Sequence, residues 1–191
     1  MSPDPESLRA WVRATGAALD ARPDVRARRS VAGVLLVEHR HRPGSVFAAL
    51  DDAFLAGPAE GPPDLVVSTA TTAELVALAV PPPPLADSAL DAHGVVPALE
   101  GTGVRLVRDA ATAGLQVLDL GSGTGIMATM TAPADWEHAA PFRSFLHWTA
   151  AARGSLLVHA ASVAQPGDRG ALLLGPGGSG KSTTTLTAAA A

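Results

Sequence analysis

The residues best suited to chemistry surround Lys181, the only lysine in a sequence of 191 residues. Residues 175–182 fit the G-x-x-x-x-G-K-[ST] pattern of a phosphate-binding loop. Glycines in such a loop let successive backbone N–H groups converge on an anion. The lysine would contact the β- and γ-phosphates of a nucleotide, and the Ser182 hydroxyl would ligate Mg²⁺. The sequence therefore predicts a nucleotide site made of Gly175, Pro176, Gly177, Gly178, Ser179, Gly180, Lys181, Ser182 and Thr183.

A strand and a helix must position this loop. Residues 171–174 are Ala-Leu-Leu-Leu, an apolar run typical of a buried parallel strand. The residues after the lysine can begin a helix, whose N-terminal amides and dipole favour an anion. A second apolar run at 156–163 predicts another strand, which carries His159. On residue type alone, a histidine in an apolar strand is more often a hydrogen-bonded core residue than a functional one.

A resemblance to a known family covers residues 141–185, which contain Pro-Phe-Arg-Ser-Phe-Leu-His-Trp, the histidine strand, a tight turn, the second strand and the loop. This segment resembles the HPr serine kinase C-terminal family, in particular its bacterial HPr-kinase-related branch. The resemblance implies an ATP-dependent kinase with ATP and Mg²⁺ as cofactors and a nucleotide fold like that of ATP-dependent phosphoenolpyruvate carboxykinase. It implies Lys181 and His159 as catalytic residues, and a protein serine or a small hydroxyl compound as the phosphoryl acceptor. Ala160 stands where HPr kinases tend to have glycine.

The family also carries acidic residues on the strand after the helix of the loop, where they hold Mg²⁺ and act as the base. The sequence ends at Ala191, shortly after the lysine. Phosphoryl transfer needs the metal, a positioned nucleophile and charge stabilisation together. We therefore expect an N-terminal fragment with a C-terminally truncated kinase domain and no kinase turnover of its own. The alternative is a non-catalytic interaction or regulatory protein with a vestigial nucleotide loop.

The sequence predicts an α/β fold in two parts, a variable mixed α+β region at 1–135 and an incomplete P-loop kinase-like domain at 136–191. A helix is predicted at 4–20, and another follows Pro141. The arginine-rich residues 21–30 are predicted to be a solvated linker. Strands are predicted at 31–38, 65–68, 103–108, 115–120 and 126–131.

Residues 117–125, Val-Leu-Asp-Leu-Gly-Ser-Gly-Thr-Gly, form a competing motif. Alone, they look like the first motif of Rossmann-type S-adenosylmethionine methyltransferases, in which a helix follows the glycines. Residues 126–133 are rich in threonine and end in proline, which argues against that helix. A β-hairpin turn at 121–125 is therefore the preferred interpretation. Asp119 precedes the lysine, whereas the Mg²⁺-binding acid of a P-loop protein normally follows it.

A second candidate for chemistry is the pair His39 and His41. Alternate residues of a strand point to the same side, so these two imidazoles could share a metal ion. No third ligand is visible nearby in the sequence. A solvated strand end is therefore the favoured interpretation.

Composition limits the classes of partner. The formal charge is −4 and the isoelectric point about 5.8, which argues against a nucleic-acid surface. Cysteine is absent, so the sequence has no disulfide, thiolate metal site or cysteine nucleophile. No apolar run approaches the length of a membrane span. With a nucleotide site, these observations predict a cytoplasmic protein without membrane or nucleic-acid partners, and leave the oligomeric state open.

Overall fold

The chain folds as two units, Met1–Ser155 and Leu156–Ala191. The computed structural model describes residues 3–32, 35–53, 60–86, 89–109, 113–165 and 169–189. Helices of the first unit are α1 (Pro5–Asp20), α2 (Thr72–Ala77), α3 (Asp135–Ala139) and α4 (Arg143–Ala152), with 3-10 helices at Ala48–Ala53 and Pro97–Leu99. Its strands are β1 (Arg26–Ala32), β2 (Leu35–His41), β3 (Leu65–Thr71), β4 (Val104–Asp109), β5 (Gly114–Asp119) and β6 (Thr124–Thr129). The second unit contains β7 (Ala160–Gln165), β8 (Arg169–Leu174) and α5 (Lys181–Ala189).

The six strands of the first unit form one mixed sheet in the order β1-β2-β3-β6-β5-β4. The central strand β3 is parallel to both of its neighbours, β2 and β6. The outer pairs are antiparallel. The first unit therefore has a mixed α/β fold, which confirms the general class that the sequence predicts.

Each face of this sheet carries its own hydrophobic cluster. Side chains of successive strand residues point to opposite faces, so Val117 and Leu118 belong to different clusters. On one face α1 packs Leu8 and Val12 against the sheet. On the other face the side chains come from the 3-10 helix Ala48–Ala53 and the residue before it, and from α4 and the residue before that. They are Phe47, Leu50, Phe142, Phe145 and Ala150.

The first helix forms where the sequence predicts it. The Asp4 carboxylate accepts hydrogen bonds from the Glu6 and Ser7 amides, which satisfies two of the first free N–H groups of the helix. Proline stands at the first helical position, where its missing N–H costs nothing. The apolar residues recur at helical spacing and are buried against the sheet.

The division between the two units differs from the expected boundary at residue 135. Phe142 and Phe145 are fully buried in the core cluster of the first unit. Helix α4 therefore belongs with the sheet, and the chain leaves the first unit after Ser155. The sequence analysis placed this helix in the kinase-like part. An amphipathic pattern shows that one face of a helix is buried, but it does not show which part of the protein covers that face.

The predicted hairpin at 115–131 is confirmed by the antiparallel pairing of β5 with β6. Asp119 organises its turn by accepting hydrogen bonds from the Gly121 amide at 3.1 Å and the Ser122 hydroxyl at 2.8 Å. Residues Thr124–Thr129 form a strand, so the helix that the methyltransferase motif requires is not formed. The methyltransferase interpretation is wrong for this reason.

The predicted linker at 21–30 is also wrong in its second half. Residues Arg26–Ala32 form β1, which pairs along its whole length with β2. Glu38 accepts hydrogen bonds at 2.7 Å from the Nε atoms of Arg29 and Arg40. The sequence does not reveal the ion pairs of these arginines, because their carboxylate partners lie on other strands and helices.

The second unit is a β7–β8 hairpin followed by a helix. Residues 171–174 were expected to form a buried parallel strand, but β8 is antiparallel to β7 and its Leu172 and Leu174 are more than half exposed. The apolar composition of β8 suits a covered strand, yet among the described residues β7 is its only hydrogen-bonded neighbour. Within the described residues, no helix of the chain combines the length and apolar character needed to cross a membrane.

Candidate functional site

The candidate site of the second unit is the turn between β8 and α5. The strand ends at Leu174 and the helix begins at Lys181, so residues 175–180 form the connecting loop. The predicted order of strand, loop and helix is therefore present. The first helical hydrogen bond runs from the Thr184 amide to the Gly180 carbonyl at 2.9 Å. The amides before it lie in the first turn of α5, where an α-helix supplies no acceptor of its own.

Two glycines of the loop are required by backbone conformation. Gly178 and Gly180 have φ angles of 77° and 82°, in the left-handed region that other residues rarely adopt. An added Cβ at either position would meet no atom within 4 Å. The requirement for glycine is therefore conformational, and the space above the loop is open to a ligand.

The lysine side chain folds over the loop. Its Nζ donates to the Gly175 carbonyl at 2.8 Å and to the Pro176 carbonyl at 2.9 Å, and lies 3.5 Å from the Ser179 hydroxyl. The ammonium charge is thus held at the mouth of the loop. Hydrogen bonds between an ammonium and an anionic oxygen are stronger than those to neutral carbonyls, so a phosphate entering the loop can compete for this group.

His159 lies beside the same loop. The β7–β8 register pairs Ala160 with Leu174, so the residue before β7 adjoins the start of the loop. The predicted strand at 156–163 begins later than expected, and His159 precedes it with an exposed side chain. The alternative of a core histidine is therefore wrong. His159 and residues 177–183 line one cleft of about 260 Å³.

The size and lining of this cleft indicate what it can hold. Small-molecule pockets usually measure roughly 300–1,000 Å³, so the volume suits a chain of phosphates better than a whole nucleotide. The lining consists of backbone amides, hydroxyls, one ammonium and one imidazole. Ser182 is exposed at the loop, and its hydroxyl can supply one of the six oxygens that Mg²⁺ requires.

Acidic groups are scarce in the second unit. Asp168 is its sole acidic residue in the sequence, and it lies outside the described residues. The described residues therefore contain no carboxylate that could hold Mg²⁺ or act as a base in this unit. The loop offers amides and an ammonium group to an anion, whereas phosphoryl transfer needs further groups.

A buried polar cluster in the first unit was not predicted. His39 and His41 of β2 are 2% and 4% exposed, so the expectation of a solvated strand end is wrong. Asp51, 8% exposed, joins both rings: its Oδ1 lies 2.7 Å from His39 Nδ1 and its Oδ2 lies 3.0 Å from His41 Nε2. Burial lowers the pKa of His39 below its ordinary value. The alternation Leu35, Val37, His39, His41 was the signal that both histidines face the core.

A second buried polar pair lies on the same face of the sheet. Glu137 of α3 accepts hydrogen bonds from Gln116 Nε2 at 3.0 Å and from the Phe142 amide at 3.3 Å. Burial raises the pKa of Glu137 above its ordinary value. Among the described residues, Gln116 Oε1 has no hydrogen-bond partner. This pair orients α3 on the sheet, and nothing in the sequence pattern indicated it.

Comparison with known proteins gives no match. No protein-family model, no curated protein and no solved structure matches the chain. The resemblance to the HPr kinase family therefore stays a prediction. Function must be inferred from the residues and their geometry.

Proposed function

We propose that this chain binds the phosphates of Mg²⁺-complexed ATP through residues 175–183, as part of a serine-kinase-like protein of the HPr kinase type. In that role it would hold ATP for phosphoryl transfer to a protein serine or a small hydroxyl compound. The observation that carries the proposal is the position of Lys181 Nζ at the mouth of a glycine loop that leads into the N-terminus of α5. A cytoplasmic location belongs to the same proposal, since ATP is its ligand.

Three features of the loop favour a polyphosphate over other ligands. The first-turn amides and the dipole of α5 favour negative charge at this end of the helix. The only lysine of the chain adds a full positive charge there. The positive φ angles of Gly178 and Gly180 bend the backbone so that its N–H groups can converge on one anion.

Each named residue has a role in the proposal. Lys181 would exchange the carbonyls of Gly175 and Pro176 for phosphate oxygens, and Ser182 would contribute its hydroxyl to Mg²⁺. Magnesium, when bound with the nucleotide, neutralises phosphate charge. His159 would contact the phosphates from the β7 side of the cleft as a hydrogen-bond donor.

The test compares ATP binding by the full chain and two matched variants. Lys181→Ala removes the charge from the loop, whereas Arg169→Ala removes one charge from an exposed position of β8 in the same unit. Hydrogen bonds to charged groups contribute about 1.5–3 kcal/mol, so we expect the lysine variant to bind Mg·ATP roughly 10- to 100-fold more weakly. The arginine variant should bind like the parent. Equal ATP affinity of parent and lysine variant in calorimetry would contradict the proposal.

A second candidate is nucleotide binding without catalysis, in an interaction or regulatory protein. The scarcity of carboxylates among the described residues of the second unit favours it. Turnover is the measurement that can favour one candidate. Lys181-dependent phosphate transfer to added protein or hydroxyl acceptors would support the kinase and exclude the second candidate. Binding without transfer is the result that the sequence predicts for this chain under either candidate.

A further inference from the structure

The strongest unassigned site is the cluster of His39, His41 and Asp51, far in sequence from the phosphate loop. The two histidines alternate on β2, so their rings lie on one face of the sheet and stack with centroids 4.6 Å apart. Asp51 reaches them from the 3-10 helix Ala48–Ala53, which is anchored by the fully buried Leu50. Phe142 closes the cluster, with its ring centroid 4.8 Å from that of His39.

The outer nitrogen of His41 fixes the tautomer of its ring. His41 Nδ1 lies 2.9 Å from the Arg42 carbonyl oxygen. A carbonyl oxygen only accepts hydrogen bonds, so Nδ1 must carry a proton. In the neutral ring the lone pair then lies on Nε2, which is the atom that faces Asp51 Oδ2.

The outer nitrogen of His39 is also hydrogen-bonded. His39 Nε2 lies 3.0 Å from the Thr69 hydroxyl oxygen, and that oxygen lies 3.3 Å from the Arg40 carbonyl oxygen. When the hydroxyl donates to this carbonyl, it accepts from Nε2–H. The lone pair of the neutral ring is then on Nδ1, which faces Asp51 Oδ1 at 2.7 Å.

In this arrangement both imidazole lone pairs point at oxygens of one carboxylate. Neutral imidazoles and a carboxylate are the forms in which these side chains bind a metal ion. The Arg28 guanidinium lies 4.0 Å from Asp51 Oδ2. A divalent ion would bond both lone pairs and the carboxylate at one point.

We propose that His39 Nδ1, His41 Nε2 and the Asp51 carboxylate bind one divalent transition-metal ion, with Zn²⁺ preferred. Imidazole and carboxylate are suitable zinc ligands. Metal-binding histidines typically donate their other N–H to a carbonyl or similar acceptor. His41 has the Arg42 carbonyl in this position, and His39 has the Thr69 hydroxyl.

The ligand atoms already lie within 4.8 Å of one another. Zinc bonds of roughly 2.0–2.2 Å place tetrahedral ligand atoms about 3.4 Å apart, so the contacts of 2.7 and 3.0 Å must widen by about 0.7 and 0.4 Å. Rotation of the Asp51 side chain can supply this movement. The small exposure of all three ligands indicates a buried site that joins the 3-10 helix to the sheet, and three protein ligands leave one tetrahedral position to a further ligand.

The test titrates chelator-treated, tag-free full chain with ZnCl₂ in the absence of nucleotide. We expect one equivalent to bind, with a rise in the melting temperature of the first unit, because an ion that binds the folded state stabilises it. Asp51→Asn should weaken the affinity by at least about 10- to 100-fold, a loss that even changes behind metal ligands produce. The matched control is Asp52→Asn, the next residue, whose side chain is 86% exposed.

A second measurement does not depend on folding of the variants. X-ray absorption spectra of the zinc-loaded parent should show two imidazole nitrogens and otherwise oxygen ligands.

A second control for the titration is His93→Ala. It removes an exposed histidine of the same unit and should leave zinc binding unchanged. The proposal is overturned by the absence of stoichiometric binding, by equal affinity of parent and Asp51→Asn, or by a spectrum without two imidazoles.

Discussion

Gly125 lies under the ring of Phe145, and a Cβ added at residue 125 would stand 2.6 Å from Phe145 Cε1. The glycine is in β6 at the centre of the sheet, and the phenylalanine is in α4 and fully buried. A glycine that fits a cofactor-binding motif in the sequence is thus required by the hydrophobic core. Its missing side chain makes room for an aromatic ring.

We therefore expect Gly125→Ala to destabilise the first unit. Overpacking of a core costs about 1–3 kcal/mol, since the ring or the strand must shift. Urea unfolding followed by tryptophan fluorescence measures this directly, because Trp11, Trp136 and Trp148 all lie in the first unit. An unchanged free energy of unfolding would show that the Phe145 ring moves aside without cost.

The opposite change is expected at Gly16, which lies inside α1. A Cβ there would meet Thr124 Cγ2 at 3.8 Å and Ile126 Cδ1 at 3.9 Å, both ordinary contacts. Alanine is favoured over glycine in a helix interior by about 0.5–1 kcal/mol, so Gly16→Ala should raise the free energy of unfolding by a similar amount. The same urea titration serves both variants. Destabilisation would show that α1 packs more tightly on β6 than the distances indicate.

Stability of the first unit should depend on pH through Glu137. Burial raises its pKa in the folded state above the ordinary value of 4.5, so the folded chain holds a proton that the unfolded chain releases. This contribution is fully present below the unfolded pKa and is lost as the pH rises through the folded pKa. The tryptophan signal of urea unfolding, recorded from acid to neutral pH, should show this loss.

Glu137→Gln should remove this pH dependence and stabilise the first unit at neutral pH by about 1 kcal/mol. The new amide can donate to Gln116 Oε1, which has no partner among the described residues, while its oxygen accepts from the Phe142 amide. Asp135→Asn, on the exposed side of the same helix, is the control. A pH profile that is the same in the parent and the glutamine variant would refute this role of Glu137.

The proposed nucleotide site should recognise phosphates rather than the base. The cleft is lined by loop residues and His159, and no phenylalanine, tyrosine or tryptophan is among its lining residues. Inorganic tripolyphosphate should therefore displace a fluorescent ATP analogue at concentrations similar to ATP, and adenosine should not displace it. His159→Gln should weaken binding of both phosphate compounds to the same extent. Competition by adenosine alone would place the ligand elsewhere.

Local patterns could be predicted from the sequence, and contacts between distant elements could not. The hairpin around Asp119 and the loop around Lys181 were predicted because turn glycines and flanking apolar runs are neighbours in the chain. The meeting of His39 with Asp51 needs a 3-10 helix to fold back over the sheet. Such a contact leaves no periodicity in the sequence.

The pairing and burial of charged residues were underestimated for a related reason. Arg29 of β1 is exposed, yet it pairs with Glu38 of β2, and its Nε donates to the Glu38 carboxylate at 2.7 Å. Glu137 is buried because α3 lies over Gln116 of β5. In both cases the tertiary fold brings the partner into contact. Without knowledge of that partner, sequence analysis places a charged side chain in the solvent.

The central strand β3 has one further consequence, for synthesis on the ribosome. One of its two neighbours, β2, precedes it, whereas the other, β6, is far downstream, and Val66 pairs with Thr124. The pairing must therefore close a long stretch of chain, which is slow because the loop entropy is lost before the contacts form. Strands β1 to β3 are made early but cannot complete the sheet until residue 129 has emerged, so a translational pause before that point would leave an unfinished sheet exposed to chaperones.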